Sequence, residues 1–113
     1  MNRCALLIEA PGNANNYLTG TRNDILRYKS FLMSPSGGAW DPSEILHTKN
    51  PSKKALLNAI REIKTTRYFH IYFSGHGETD KRHEAILQIN PIERIALREL
   101  FAKNSKQLII LDA

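Results

Sequence analysis

The strongest constraint on the fold is the unbroken apolar run YFHIYF at residues 68–73, near the middle of the 113-residue chain. A strand with one face in water alternates apolar and polar residues, whereas a strand covered on both faces is apolar throughout. The run therefore predicts a central strand over residues 67–73. Because both of its faces must be covered, we expect this strand to lie inside a mainly parallel sheet.

Strand and helix patterns alternate on either side of this segment. The predicted strands, in order along the chain, are 4–9, 44–47, 67–73, 84–89 and 107–111. Between them, the patterns predict a helix capped by Thr19 or Thr21 that runs to about Met33, a helix that Asn50-Pro51 opens, and a helix from Asn90-Pro91 to about Lys103. This alternation predicts a three-layer α/β fold, a mainly parallel sheet flanked by helices.

Each predicted helix has one apolar face that can pack against the sheet. In the first helix this face is formed by Ile25, Tyr28 and Leu32. In the second helix it is formed by Leu56, Leu57, Ile60 and Ile63. In the third, with Glu93 as a capping-box partner of Asn90, the inward residues are Ala96, Leu97, Leu100 and Phe101.

The composition excludes several classes of protein. The net charge is +5, but the basic residues form no dense run and are not interleaved with aromatic residues for base stacking. No apolar stretch approaches the roughly 20 residues of a membrane span, and the N-terminus lacks the layout of a signal peptide. The single cysteine suits a reducing compartment. We expect a cytoplasmic protein with neither a nucleic-acid partner nor a membrane partner.

The sequence SGHG at residues 74–77 places a histidine between two glycines where the central strand stops. Glycines beside an imidazole let a substrate and the main chain approach it closely. In parallel α/β sheets, ligands bind beyond the carboxyl ends of the strands, and both His76 and Asp112 fall there. We therefore expect the ends of strands 67–73 and 107–111 to share one crevice.

Other reactive residue types are better explained by structure. The histidines and acids around the loop match no standard zinc spacing, so neither a metal site nor a cofactor is predicted: His70, His76, Glu78, Asp80 and His83. His70 lies in mid-strand and is expected in the core, His47 is expected to be structural or exposed, and Cys4 is expected to pack rather than react. The segment PGN at 11–13 lacks the glycine-rich pattern of a nucleotide-binding turn.

Several of these segments resemble a known family, the caspase and metacaspase cysteine proteases. The segment YFSGHGE at 72–78 looks like their Ser-Gly-His-Gly loop, which carries the catalytic histidine. The segment LIILDA at 108–113 is similar to their strand that ends in Asp-Ala or Asp-Ser before the catalytic cysteine. The segments ALLI at 5–8 and LTGTRND at 18–24 resemble the first strand of metacaspases and the Gly-x-x-Asn-Asp segment that opens their first helix. The resemblance is closer to metacaspases and prokaryotic homologues than to animal caspases.

The resemblance implies a cysteine endopeptidase of which this chain is the large-subunit portion, residues 1–113. It implies that His76 moves protons for the cysteine nucleophile and that the backbone N–H of Gly77 helps to hold the oxyanion. The cysteine would come from the segment after Ala113, and a small-subunit half would complete the sheet. The chain alone is then expected to be inactive and to expose a sheet edge.

The resemblance also implies a specificity. Caspases bind an aspartate side chain through an arginine at the position of Leu18, so aspartate specificity is not expected here. Metacaspases line the pocket with acids, and the matching positions are Asp24 and Asp112. Two carboxylates favour a guanidinium or ammonium guest, which implies protein or peptide substrates cleaved after Arg or Lys. Two plainer roles stay open, a helix N-terminal acid for Asp24 and a strand-end carboxylate for Asp112.

A second hypothesis, from a different functional class, is a catalytically inactive caspase-like module that acts as a binding or regulatory partner. A cysteine directly after Ala113 would favour the protease, and any other residue the inactive module. By the same resemblance, calcium dependence would reside in the absent half. If the source is a bacterium, the family analogy implies a role in regulated cell death or antiviral defence.

Overall fold

The computed structural model describes residues 2–13, 18–102 and 106–112. Its strands are β1 (Arg3–Ala10), β2 (Ile45–Lys49), β3 (Tyr68–Gly75), β4 (Gly77–Thr79), β5 (Ala85–Gln88), β6 (Arg94–Ala96) and β7 (Lys106–Asp112). The α-helices of the described residues are α1 (Thr21–Met33) and α2 (Lys53–Ile63). Short 3-10 helices lie at Pro35–Gly37, Pro42–Glu44 and Leu97–Leu100.

Four parallel strands form the main sheet in the order β2-β1-β3-β7. The strand predicted from the apolar run is β3, and it pairs on one side with β1 and on the other with β7. Its inner position explains why the run is apolar throughout, and the prediction of a mainly parallel sheet is confirmed.

Helices cover both faces of this sheet. Alternate residues of β1 and β3 point to opposite faces. One face packs against α2 in a cluster that includes Leu6, Ile8, Leu56, Ile60, Ile63, Phe69 and Phe73. The other face packs against α1 in a cluster that includes Ala5, Leu7, Ile25, Leu32, Trp40 and Tyr72. Each large apolar side chain buried in this way contributes about 1.5–3 kcal/mol. The result is the predicted three-layer α/β fold, a mainly parallel sheet flanked by helices.

A second, antiparallel sheet follows β3 in the order β4-β5-β6. The predicted strand at 84–89 exists as β5, but it belongs to this small sheet and not to the parallel one. Leu87, Ile89 and Ile95 are buried in the α2-side core. A single residue, His76, separates the end of β3 from the start of β4.

The helix predicted from Asn90 is wrong over the described residues up to Ala102; its predicted end near Lys103 lies outside them. Asn90 Oδ1 does accept the backbone N–H groups of Ile92 and Glu93, each at 2.9 Å, as a helix cap would. The Glu93 carboxylate, however, accepts the backbone N–H of Lys53 at 3.0 Å and ties this turn to the start of α2. The next residues form β6 and a 3-10 helix, because pairing with β5 and burial of Leu100 outweigh local helix propensity. Phe101, predicted to face inward, is 48% exposed.

The predicted caps of the other two helices are also wrong. Gly20 is the N-cap of α1 and provides no side-chain hydrogen bond, while the Thr21 hydroxyl donates to the carbonyl of Leu18 at 3.2 Å. Ser52 caps α2, because its hydroxyl accepts the N–H of Ala55 at 3.1 Å. Asn50 instead takes a left-handed conformation, with φ at 45°, and its N–H donates to the carbonyl of Glu9 at 2.7 Å.

His70 is a core residue, as predicted. It is 3% exposed, and its Nε2 is hydrogen-bonded to the hydroxyl of Tyr28, whose ring stacks on the imidazole with the centroids 5.2 Å apart. Burial lowers the pKa of His70 to about 4, so the side chain is neutral at pH 7. Across the described residues, no helix combines the length and apolar character needed to cross a membrane.

We predict that His70 makes the stability of the fold sensitive to mild acid. In the unfolded chain His70 takes up a proton near pH 6.5, whereas the folded chain takes it up only near pH 4. The free energy of unfolding should therefore be insensitive to this residue above pH 6.5 and should fall as the pH drops from 6.5 to 4. The difference between the two pKa values corresponds to at most about 3 kcal/mol.

Urea unfolding at a series of pH values measures this effect. The His70→Gln variant removes the titrating group, so its free energy of unfolding should fall less than that of the wild-type chain between pH 6.5 and 4. Equal slopes for the two chains would contradict the prediction, even if the variant is less stable at every pH.

Candidate functional site

A cleft opens at the carboxyl end of the parallel sheet, beside the start of α1. Its volume is about 330 Å³. It is lined by Leu18, Thr19, Gly20, Thr21, Asp24, Ser74, Gly75 and Asp112. The cleft therefore brings together both acids that the sequence singled out, along with the end of the strand that carries the histidine loop.

Strand register determines which residues meet at this edge. Ser74 of β3 lies directly opposite Asp112 of β7, and on its other side it lies opposite Glu9 of β1. Because side chains directly opposite each other point to the same face, these three residues share the face covered by α1. The first turn of α1 contributes Asp24 from above.

Each of the two predicted acids accepts a hydrogen bond from a hydroxyl of β3. Asp24 Oδ2 accepts from the Ser74 hydroxyl at 3.1 Å. Asp112 Oδ2 accepts from the Tyr72 hydroxyl at 3.2 Å. Burial first, and then the nearby charge of Asp112, raise the pKa of Tyr72, so its hydroxyl keeps the proton that it donates. The strand thus holds both carboxylates beside one cleft.

The sequence patterns do not mark these two hydroxyl groups as parts of a site. Ser74 stands within the histidine loop, and Tyr72 stands within the apolar run. A signal existed, because residues two apart in a strand share a face, and Tyr72 and Ser74 therefore point toward the same helix. Which acids they would meet depends on the strand order, which local patterns do not give.

His76 lies at the junction of the two sheets. It follows Gly75, which lines the cleft, and it precedes Gly77, the first residue of β4. Its carbonyl accepts the backbone N–H of Gln88 at 3.0 Å, which connects it to β5. The imidazole is half-buried and Gly77 is exposed. Both residues predicted to be catalytic therefore follow the carboxyl end of β3, next along the chain to the cleft-lining Gly75, and neither is among the residues that line the cleft.

A second polar group lies farther along the same edge of the sheet. The Glu9 side chain is 1% exposed, and its Oε1 is 2.8 Å from Nε2 of His47. Within the described part of the chain, Glu9 Oε2 and Asn50 Oδ1 are buried oxygens without a hydrogen-bond partner. The pair with Glu9 gives His47 a structural contact, in keeping with its predicted role.

The described residues contain no group of three or more His, Cys, Asp or Glu side chains arranged to hold a metal ion. Cys4 is buried in the α2-side core, and burial raises the pKa of its thiol. It lines a different cavity, of about 210 Å³, with Leu46, Glu62, Ile63, Thr65 and Thr66. A buried thiol with a raised pKa is a poor nucleophile, which agrees with a packing role.

Comparison with known proteins bears on the fold. No protein-family model matches the sequence, and no curated protein sequence matches it. The crystal structure of the Drosophila initiator caspase Dronc is similar, with a TM-score of 0.68 and 12% sequence identity, over 96% of this chain and 47% of that chain. At this identity the similarity establishes the caspase-like fold. The chain spans about half the length of that structure.

We predict that Gly75 cannot carry a side chain without loss of stability. A Cβ at this position would lie 2.6 Å from the carbonyl oxygen of Ala10 and 2.9 Å from its Cβ, because β3 and β1 approach closely at the cleft. Overpacking of this kind costs about 1–3 kcal/mol. The Gly75→Ala variant should therefore lower the free energy of unfolding by that amount in urea titrations.

Gly20 provides the matched control, since it lines the same cleft and its added Cβ would meet nothing within 4 Å. Its φ of −83° suits alanine, so Gly20→Ala should change the free energy of unfolding by less than about 0.5 kcal/mol. Equal stability of the two variants would mean that β3 and β1 are farther apart than described.

Proposed function

We propose that this chain is the large-subunit portion of a caspase-like cysteine endopeptidase that cleaves proteins after Arg or Lys. The observation that carries the proposal is the cleft in which Asp24 and Asp112 lie beside the end of the histidine-bearing strand. The caspase-like fold supports a cysteine protease as the class of enzyme. The specificity and the roles of single residues are inferred from the cleft and from the SGHG loop.

The proposed chemistry uses two groups of this chain and one cysteine from the segment that follows it. The cysteine thiolate attacks the scissile carbonyl carbon, and the carbonyl oxygen becomes an oxyanion that the N–H of Gly77 helps to stabilise. His76 delivers a proton to the leaving amine as the C–N bond breaks. Water then attacks the acyl-enzyme, with His76 accepting its proton, and the thiolate is released.

The cleft suits a basic side chain at the residue preceding the scissile bond. At about 330 Å³ it lies at the small end of ligand pockets, a size that fits one side chain. Two carboxylates attract a cation, and a guanidinium can form a charge-assisted hydrogen bond with each. The apolar Leu18 at the rim offers no positive charge to an acidic side chain. Arg and Lys are therefore the expected residues, with Arg preferred for its fork of donors.

Completion of the enzyme by a further segment is supported by β7. In the described sheet β7 is an edge strand, and Leu108 and Leu111 are 45% and 38% exposed. An open edge with exposed apolar side chains favours pairing with another strand. The similar caspase structure is about twice as long as this chain. We propose that the small-subunit segment covers this edge and brings the cysteine to His76.

The catalytic part of the proposal is tested by His76→Ala in a protein that joins this chain to the segment encoded after it. Turnover of an Arg-containing fluorogenic peptide should fall by at least about 100-fold, because His76 supplies proton transfer in both half-reactions. The control is His83→Ala, since His83 is an exposed histidine in the nearby turn.

Unchanged turnover in His76→Ala would remove the residue from the mechanism. The absence of a cysteine after Ala113, together with no turnover in the wild-type protein, would favour the inactive binding module.

The specificity part is tested by Asp24→Asn and Asp112→Asn. Each variant should lower kcat/KM for Arg and Lys peptides by about 10- to 100-fold, because each removes a charge-assisted hydrogen bond to the substrate. Glu62→Gln is the matched control, since it removes one negative charge from an exposed position on α2. Profiling with Arg, Lys and Asp peptides is the measurement, and a wild-type preference for Asp would overturn the acidic pocket.

A further inference from the structure

Tyr72 connects the aromatic core to the proposed binding cleft. Its ring is buried on the α1 side of the sheet, 8% exposed, and its hydroxyl donates to Asp112 Oδ2 at 3.2 Å. The two residues belong to neighbouring strands, where Tyr72 lies opposite Ile110, two positions before Asp112. A long side chain can reach such a diagonal neighbour on the same face of a sheet.

We infer that Tyr72 is a positioning residue for a basic substrate side chain: its hydroxyl orients the Asp112 carboxylate toward the guanidinium. The inference rests on the proposed function and adds a residue that is hydrogen-bonded to one acid of the pocket. In this proposal Tyr72 acts through Asp112 and does not contact the substrate.

Asp112 needs such a partner because of where it lies. It is the last residue of β7, and it is exposed at the open edge of the sheet. An exposed carboxylate at a strand end has free rotamers, and ordering it on substrate binding costs conformational entropy. A hydrogen bond that is already formed at Oδ2 reduces this cost. It also leaves acceptor sites on Oδ1 for a guanidinium N–H, since a carboxylate accepts at both oxygens.

The tyrosine ring is itself held in place. It stacks on Tyr28 with the ring centroids 4.2 Å apart and an interplanar angle of 16°. The hydroxyl of Tyr28 is in turn hydrogen-bonded to Nε2 of His70 in the core. A stacked and buried ring has few alternative rotamers in a close-packed interior. The direction of the Tyr72 hydroxyl is therefore fixed by α1 and β3. The hydroxyl in turn fixes the orientation of the Asp112 carboxylate.

The charge state of the hydroxyl agrees with a donor role. Burial raises the pKa of Tyr72, and the nearby carboxylate of Asp112 raises it further. The group stays protonated across the pH range in which peptidases are assayed, so it remains a donor to Asp112.

The test uses Tyr72→Phe, which keeps the ring, its stacking and its burial and removes only the hydroxyl. The probe is benzamidine, a small amidinium compound, and its binding to the protein completed by its following segment is measured by NMR titration or calorimetry. We expect wild-type binding and a loss of affinity of about 5- to 20-fold in Tyr72→Phe. Tyr68→Phe is the matched control, because Tyr68 lies on the same face of β3 but at its opposite end. This substitution should leave the benzamidine affinity unchanged.

A second readout separates positioning from a purely structural role. In the protein completed by its following segment, Tyr72→Phe should raise KM for an Arg peptide by a similar factor and leave kcat within about twofold, since substrate binding is weakened and proton transfer is not. A purely structural role would instead lower the thermal midpoint and reduce the active fraction without changing benzamidine affinity.

The outcomes distinguish this inference from the proposed function. Benzamidine binding that is lost in Asp112→Asn but unchanged in Tyr72→Phe would overturn the role of Tyr72 and leave the acidic pocket standing. If benzamidine does not bind the completed wild-type protein, or if its affinity is the same in Asp24→Asn and Asp112→Asn as in the wild type, the pocket and the inference are overturned together.

Discussion

The candidate site depends on the parallel pairing of β3 between β1 and β7. This pairing places Ser74 opposite both Glu9 and Asp112. Polar residues of three neighbouring strands therefore lie side by side at the carboxyl edge of the sheet. A shift of one residue in either pairing would turn every side chain of the shifted strand to the other face. The buried apolar faces of β3 make such a shift costly, because Phe69 and Phe73 belong to one core and Tyr72 to the other. Hydrophobic burial along the strand therefore sets the geometry of the polar groups at its end.

Polar residues inside this sheet are tolerated where they find partners. His70 is buried next to Tyr28, and the rings of Tyr28 and Tyr72 stack above the strand, so the α1 face combines aromatic packing with hydrogen bonds. A buried hydrogen-bond network destabilises the fold if some of its polar groups lack partners, and it rigidifies the fold if all of them are paired. Asp24 and Asp112, the two acids of the proposed pocket, accept hydrogen bonds from side chains of β3 on this face. A rigid face therefore holds both carboxylates in place beside the cleft. The α2 face, by contrast, contributes mostly aliphatic burial, and among the described residues none of its buried core side chains lines the cleft.

The sequence alone predicted the parallel sheet. The run at 68–73 has no polar face, so both faces of this strand had to be covered by other elements. Asp24 and Asp112 were named from a family resemblance and not from periodicity; both line the cleft, and their role in substrate binding stays a prediction. The segment after Asn90 shows where local patterns mislead. Asn90 does accept the backbone N–H of Glu93, as a helix cap would, but the bond closes a turn whose Glu93 carboxylate is hydrogen-bonded to the start of α2. The residues that follow form a strand paired with β5 instead of a helix. Tyr72 shows a different limit, since its partner lies on a strand 40 residues away, and only the strand order brings the two together.

The error after Asn90 bears on the histidine loop, because a helix there would have left β5 without a partner on that side. The small sheet instead pairs β4 with β5 and β5 with β6, and the N–H of Gln88 in β5 donates to the carbonyl of His76. The loop is thus held at Gly75 by the parallel sheet and from Gly77 onward by the antiparallel one. The acid–base role that we propose for His76 requires its imidazole to stay within hydrogen-bond reach of the reacting groups through both half-reactions. Fixing the backbone on both sides of a single residue meets this demand, while the glycines beside it keep the approach of a peptide open.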